Sequence, residues 1–472
     1  MKKVCSLKFN SRTKYRFGRL LNSCASAHSS IQKNTIFAAA LFCLCTLCAP
    51  VFSQDTGFSV SGFVDTFHSV QLFKPDKISS GGGGQPVNDA DNWDRQILDS
   101  RTRVRMELSA YADDCSVFIS GNASYDGTCK SRTEIELKEA YADWTYGSFG
   151  IRAGRQIIVW GKADGVQIVD IVCPLDNTSL TGSDITDQRL PVNALSFNLR
   201  SDMLSFDMTA IPVFTPAKMP QKDNPLYGVL FPSYSSGNKM TWNEPEEVRF
   251  SLKNTEYAIR LSAWLPFADL AASFFTGNDD IAVYDMKSDA SGITLSGSYE
   301  RIYMSGLECA IPLSDFVLRG ECAFIGGRRF SGKKWEVLPD GSMLCSPVKK
   351  NQIRALLGLD WNRGGWTFTA QYIEDIILAY DEDEISRKQR IPAATLSIEK
   401  SFIHDTLTLN FSGVVDINDY DCALYPSVKY SVNDSINVKC GAYVYTSGRE
   451  DSSAYGRMKD ASCAWIKMVY SY

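Results

Sequence analysis

Between positions 101 and 110 charged and apolar side chains alternate: Arg101, Arg103, Arg105 and Glu107 take odd positions, and Thr102, Val104, Met106, Leu108 and Ala110 even ones. A period of two places successive side chains on opposite faces of an extended strand, whereas a helix would spread the charges around its circumference. The pattern returns along the chain. "YAIRLSAWL" opposes Tyr257, Ile259, Leu261, Ala263 and Leu265 to Arg260 and Ser262. "FVLRGECAF" opposes Phe316, Leu318, Cys322 and Phe324 to Arg319 and Glu321, and "IRALLGLDW" opposes Ile353, Ala355, Leu357, Leu359 and Trp361 to Arg354 and Asp360. "LTLNFSGVV" sets Leu407, Leu409, Phe411 and Val415 against Thr408, Asn410 and Ser412. In "TEIELKEAYADW", Glu134, Glu136 and Lys138 alternate with Ile135 and Leu137 until Glu139 falls on the apolar side, so a bulge or an early strand end is expected there.

The links between these strands fall into two classes. Short, hairpin-length links are expected at 112–114, 146–147, 202, 266–268, 312–314, 363–365, 403–405 and 432–435. Longer ones include 70–99, 159–192, 215–252, 278–296, 328–350, 379–390 and 448–459. About eighteen strands result, with sixteen the alternative count, and the expected fold is all-β: an antiparallel transmembrane β-barrel with short periplasmic turns and long extracellular loops.

A soluble sandwich also alternates. The alternation of tight and long links, and the recurrence of charge on the wet faces, favour a barrel around a water-filled lumen. An open sheet edge cannot sit in hydrocarbon, so the last strand is expected to pair with the first, "GFSVSGFVDTFH". The chain ends "CAWIKMVYSY", with Met468, Tyr470 and Tyr472 on one face. Ending on a strand with a terminal aromatic resembles the signal that the outer-membrane barrel-assembly machinery recognises.

Composition adds an export leader. Residues 1–53 carry eight basic residues and no acidic one, then the apolar run "TIFAAALFCLCTLCAPVF" and Ser53, the order of a secretory signal with cleavage near Ser53. The expected division is a signal peptide over 1–53 and a single barrel over 54–472. Of 49 basic residues, 41 lie beyond the leader against 54 acidic ones, a formal charge of −13 that argues against nucleic acid as a partner. The 44% hydrophobic fraction is ordinary, as it is for a barrel whose strands each turn one face to water.

Candidate chemistry is sparse. Nine of the fourteen cysteines lie beyond the leader, an odd number. Cys115 and Cys129 sit at opposite ends of one expected strand, and Cys322 and Cys440 share faces with apolar residues, so no disulfide framework is read. No CxxC knuckle occurs, and His68 and His404 lack a companion imidazole at ligand spacing. "GGGG" at 81–84 lies among polar residues and reads as a flexible loop. His68 with Ser69 is the one candidate pair for hydrolysis. No enzyme activity, metal or cofactor is expected.

Residues 137–176, "LKEAYADWTYGSFGIRAGRQIIVWGKADGVQIVDIVCPLD", resemble the signature of a Gram-negative outer-membrane family catalogued as domain of unknown function 1302. Gly154, Arg155, Gln156, Trp160, Gly161, Asp170, Pro174 and Asp176 match its elements, and Cys173 stands where that pattern has a polar residue, often asparagine. "GLDWNRGGWTFTAQYIEDIIL" and "LYPSVKYSVNDSINVKCGAYVY" are also similar to the family. The resemblance implies a porin-like barrel in contact with outer-membrane lipid and carries no established substrate.

The function expected is passage of a small, unidentified solute through the lumen. Arg101, Arg103, Arg105, Arg152, Arg260, Arg319 and Arg354 are candidates for a basic ladder on the inner wall, with Glu107, Glu134, Glu136 and Glu321 as an acidic counterpart. The alternative is that these charges pair across the lumen and stiffen the barrel. Segment 159–192, with Trp160, Lys162, Asp164 and Asp170, is long enough to fold inward as a constriction or to stay outside. Rival functions are a conduit or receptor for hydrophobic compounds, and an adhesin acting through the long loops.

Overall fold

The computed structural model describes residues 56–73, 97–179, 185–227, 240–449 and 453–472. The expected leader and the glycine run at 81–84 lie outside the described residues. The strands are β1 (Thr56–Gln71), β2 (Ile97–Ala112), β3 (Cys115–Asp126), β4 (Glu134–Tyr146), β5 (Phe149–Gln156), β6 (Val192–Arg200), β7 (Leu204–Ile211) and β8 (Met240–Trp242). There follow β9 (Glu256–Leu265), β10 (Ala268–Asn278), β11 (Val283–Asp289), β12 (Gly292–Ser298), β13 (Arg301–Leu313), β14 (Phe316–Phe330), β15 (Glu336–Val337) and β16 (Met343–Cys345). The last are β17 (Val348–Arg363), β18 (Trp366–Ile377), β19 (Ala393–Phe402), β20 (Leu407–Asp416), β21 (Cys422–Ser431), β22 (Ile436–Thr446) and β23 (Cys463–Ser471).

Eighteen of these strands form one antiparallel sheet. It closes because β1 pairs with β2 on one side and with β23 on the other, from Phe63 opposite Ser471 to Gln71 opposite Cys463. Closure leaves no sheet edge at membrane depth, the condition that hydrocarbon imposes on backbone polar groups. Eight tight links of this sheet, 113–114, 147–148, 201–203, 266–267, 314–315, 364–365, 403–406 and 432–435, lie at one rim. Between Arg363 and Trp366 the turn is made by Gly364 and Gly365 at φ +60° and +74°, the double left-handed conformation that matches strand twist in a two-residue hairpin.

The bulge expected near Glu139 is present: Ser120 stands opposite Glu139 and Gly121 opposite Leu137, leaving Lys138 as the extra residue. The lipid-side parity then passes from Ile135 and Leu137 to Ala140 and Ala142. Both Lys138 and Glu139 point into the lumen, where each meets the chain beyond β5.

The apolar halves of the strands face outward. Met106, Leu307, Leu357, Leu409, Ile466 and Met468 are all exposed on that side, Leu307 at 64%. Trp144, Tyr146, Phe267, Trp366 and Phe402 cluster beside the tight turns, the aromatic girdle of a membrane interface. Cys322 and Cys440 lie on the same outer face, and none of the nine cysteines among the described residues is in a disulfide.

The main core lies inside the barrel. Ile168, Val169, Val172 and Cys173, from the chain between β5 and β6, pack against inward side chains of Ala258, Phe275, Met304, Ile325 and Leu356. At the long-loop rim, β8, β11, β12, β15 and β16 form a separate five-stranded sheet from the links after β7, β10 and β14.

Candidate functional site

Residues 157–179 and 185–191, between the end of β5 and the start of β6, lie in the lumen. The entry is anchored where the Ile157 N–H donates to Glu139 at 2.9 Å. Far around the wall, Glu321 of β14 accepts the Lys162 N–H, the Ala163 N–H at 2.5 Å and the Val169 N–H at 3.4 Å. Gly161, at φ +91°, lies so close that a Cβ there would stand 3.0 Å from Glu321 Oε1. Arg319 donates to the Lys162 carbonyl at 2.8 Å, and Gln371 of β18 exchanges hydrogen bonds with the Asp164 backbone at 3.2 and 2.8 Å.

The returning limb crosses to the opposite wall. In the short helix Ile185–Gln188, Asp187 meets Arg103 at 2.7 Å and Arg105 at 2.6 Å. Lys138 donates to the carbonyls of Asp187 and Arg189, at 3.2 and 2.8 Å. The two limbs are tied together by the buried ion pair of Asp170 with Arg189, and by the Leu190 N–H donating to the Pro174 carbonyl at 2.8 Å. Burial pushes the Asp187 carboxyl up, but the Arg103 and Arg105 charges and their hydrogen bonds outweigh it and hold it well below the usual carboxylate range. Cys173 accepts the Ile158 N–H through Sγ at 3.2 Å, and burial pushes its thiol up to about 12.

The charged residues singled out from the alternation face the lumen, and most are paired. Arg103 makes two bonds to Asp65, at 3.1 and 2.8 Å, and lies with Arg105 over the Phe63 ring, each 5.0 Å from its centroid. Arg152 takes Asp143 at 2.7 and 2.9 Å, and Arg260 takes Glu308 at 3.1 and 2.6 Å. Arg319 pairs with Asp360, Arg354 with Asp375 at 3.7 Å, and Glu134 with Lys218. Arg101, Glu107 and Glu136 have no ion pair among the described residues, although Glu136 borders a polar recess with Arg101, Arg103, Lys138 and Lys218.

Of the segment residues, Trp160 is buried and its N–H donates to Asp170 at 3.1 Å. Lys162 Nζ approaches Asp269 at 3.5 Å, and the Asp164 side chain is exposed. His68 and Ser69 do not form a pair: they sit on opposite faces of β1, Ser69 buried on the inside. The His68 ring instead touches the hydroxyls of Thr66 at 2.7 Å and Ser100 at 3.1 Å on the outer face. Among the described residues no group of three or more His, Cys, Asp or Glu is placed to hold a metal. Met468 and Tyr470 face outward, and the Tyr472 N–H donates to the Gly62 carbonyl at 3.0 Å, across the closing seam.

Residues of the motif quoted above lie at the end of β5 and in the inward segment. Gly154, at φ +138°, admits the Ala140 carbonyl where a Cβ would stand 2.2 Å from its oxygen; Gln156 is buried and donates to the Ala194 carbonyl at 3.1 Å. Asp176 accepts the Thr178 N–H at 2.9 Å.

Residues 130–330 match the family model described as Protein of unknown function (DUF1302). The DUF1302 stretch therefore contains the whole inward segment and the Glu321 contact that receives it. No curated protein matches the chain. Solved structures with a similar fold include the outer membrane channel DcaP of Acinetobacter baumannii, at 10% identity over 89% of this chain and 99% of that chain, TM-score 0.42. OpdL of Pseudomonas aeruginosa has 11% identity over 88% and 98%, TM-score 0.47, and a BenF-like porin from Pseudomonas fluorescens 9% over 89% and 99%, TM-score 0.47.

The partners Asp65, Asp143, Glu308 and Asp360, and the receiving role of Glu321, are additions from the structure. The turn expected at 146–147 lies at 147–148, and this shift by one residue sets Asp143 opposite Arg152.

Proposed function

We propose that this chain is an outer-membrane, porin-like channel through which small hydrophilic solutes pass without chemical conversion. One observation carries the reading: a single closed sheet presents apolar side chains outward and polar, water-accessible ones inward. Glu399, Asn410, Lys429 and Lys439 on β19–β22 face the lumen and are at least partly exposed, as an aqueous path requires. The inward segment narrows the lumen on the side of β13–β18. An aqueous wall of this kind supports solute passage over a lipid conduit, whose path would be apolar. The export leader expected over 1–53 agrees with an outer-membrane address.

The test is electrical. Full-length protein, folded in detergent and added to a planar bilayer, is expected to give discrete conductance steps. Protein that shows the cold-detergent gel shift of a closed barrel and yet conducts nothing would overturn the reading.

A further inference from the structure

On the outside of the barrel, the long-loop rim between β9 and β17 carries cations together with two bare apolar side chains. Along the outer face of β13 the residues from that rim toward the middle of the belt are Arg301, Tyr303, Ser305 and Leu307. Cation, aromatic and aliphatic follow one another there as they do across a membrane interface. Arg301 reaches over to the link that precedes β9. Its guanidinium donates to the carbonyls of Lys253 at 2.8 Å and Thr255 at 3.0 Å, and to Thr276 Oγ1 at 3.3 Å. These bonds hold a tight turn, closed where the Thr255 N–H donates to the Ser251 carbonyl at 3.1 Å. Arg249, Phe250, Leu252 and Lys253 are all exposed around it, Phe250 at 68% and Leu252 at 84%. Both apolar residues lie outside every strand, so the barrel alternation does not account for their exposure, and the pair marks a surface that meets something apolar.

Charge around the turn is one-sided. Arg249 and Lys253 have no ion pair among the described residues, and Arg301 is bonded to carbonyls and a hydroxyl. On the next strands Arg329 stands directly opposite Lys349, a repulsive arrangement. Arg329 takes Glu300 at 3.0 Å, whereas Lys349 is exposed and has no ion pair among the described residues. A Cβ on Gly327 would stand 3.6 Å from Lys349 Nζ and 3.5 Å from the Arg301 carbonyl, so Arg301 lies between Lys349 and the turn. The acidic neighbours are engaged elsewhere: Glu256 is buried on the inner face, and Asp279 is held by Arg328. Glu244, Glu246 and Glu247 precede the turn, but the Glu246 N–H donates to the Gly297 carbonyl at 3.1 Å, which sets that stretch along the rim sheet. Farther round the same rim the outward Arg390 is matched by Glu374 at 2.9 Å.

We infer that Arg249, Phe250, Leu252 and Lys253, with Lys349 across Arg301, bind a phosphate-bearing lipid of the outer leaflet. The cations take the phosphate oxygens, and the two apolar side chains take an acyl chain. The patch adjoins the lipid-facing belt through Tyr303 and Leu307, so a lipid reaches it without leaving the leaflet. A free anion would leave Phe250 and Leu252 uncovered. The inference rests on the membrane-embedded barrel and not on conduction.

The experiment uses full-length protein in a non-ionic detergent, with native mass spectrometry reading the bound fraction as lipid A is titrated in, either with both phosphates or with both removed. The phosphorylated form is expected to bind about tenfold tighter. Arg249→Gln combined with Lys253→Gln should lower its affinity by about tenfold and leave the dephosphorylated form unchanged. Phe250→Ser combined with Leu252→Ser should weaken both forms. Excess inorganic phosphate at matched ionic strength should leave the lipid bound. Folding of each variant is checked by the cold-detergent gel shift. Equal affinity for the two forms, or either folded pair of variants binding like the parent, overturns the site, and displacement by inorganic phosphate reassigns it to a free anion. A barrel that shows the lipid preference and conducts nothing keeps this site and loses the channel; one that conducts without the preference does the reverse.

Discussion

Arg103 on β2 and Asp187 in the lumen meet at 2.7 Å, so the wall of the barrel grips the far limb of the inward segment. Asp187→Ala leaves Arg103 with Asp65 and Arg105 with Asn122, and removes two charged contacts from that limb. The docked segment should be destabilised by about 3 kcal/mol. Cys173, buried in the docked segment, reports the change. Peptide mapping after exposure to a maleimide is expected to show faster Cys173 modification in the variant; equal rates would remove the tether's importance.

The same contact sets an acid response. Docking lowers the Asp187 carboxyl below its ordinary value, so the docked form is favoured while that group is ionised. The contribution is fully present above about pH 4, the ordinary carboxylate value, and is lost as pH falls through the depressed docked value. Conductance is expected to hold steady from neutral pH to about 4 and to rise or become noisy below it. Asp187→Asn should abolish this transition. A transition centred near neutrality in the parent would contradict the assignment.

Glu321 is the second anchor. Glu321→Ala strands the N–H groups of Lys162, Ala163 and Val169 without their acceptor, at a cost of about 3 kcal/mol to docking. Limited proteolysis followed by mass spectrometry should then find cleavage within 157–179 that the parent resists, while the barrel keeps its gel shift.

On the outer face, Leu307→Arg places a charge among lipid tails and should cost about 2–4 kcal/mol at the bilayer midplane, against little for Leu307→Phe. Urea-dependent folding into vesicles measures the difference. Equal stability of the two variants would mean that this face does not meet hydrocarbon.

Much of the barrel was legible in local sequence because a hairpin is a local object. The break in parity at Glu139 announces the bulge that the structure places at Lys138, whereas the turn expected at 146–147 lies at 147–148, and that one-residue shift is what sets Asp143 opposite Arg152. Arg260 and Glu308 belong to strands separated by β10 and by the link 279–300, so their meeting depends on a register that no short window contains. The inward segment is the extreme case. Its residues have no strand period, and their direction is set by Glu321 and Arg103, distant in sequence and brought near only when the ring is complete.

Gly62 and Tyr472 exchange backbone bonds at 3.2 and 3.0 Å, and β1 finds its second neighbour only in the final strand. Every earlier hairpin can zip to its predecessor, yet β1 stays bare on one flank until β23 pairs with it. The closing pair thus joins the most widely separated segments of the sheet, the kind of contact whose loop entropy is paid before it is rewarded, and a polypeptide truncated by one hairpin would retain two unfinished margins.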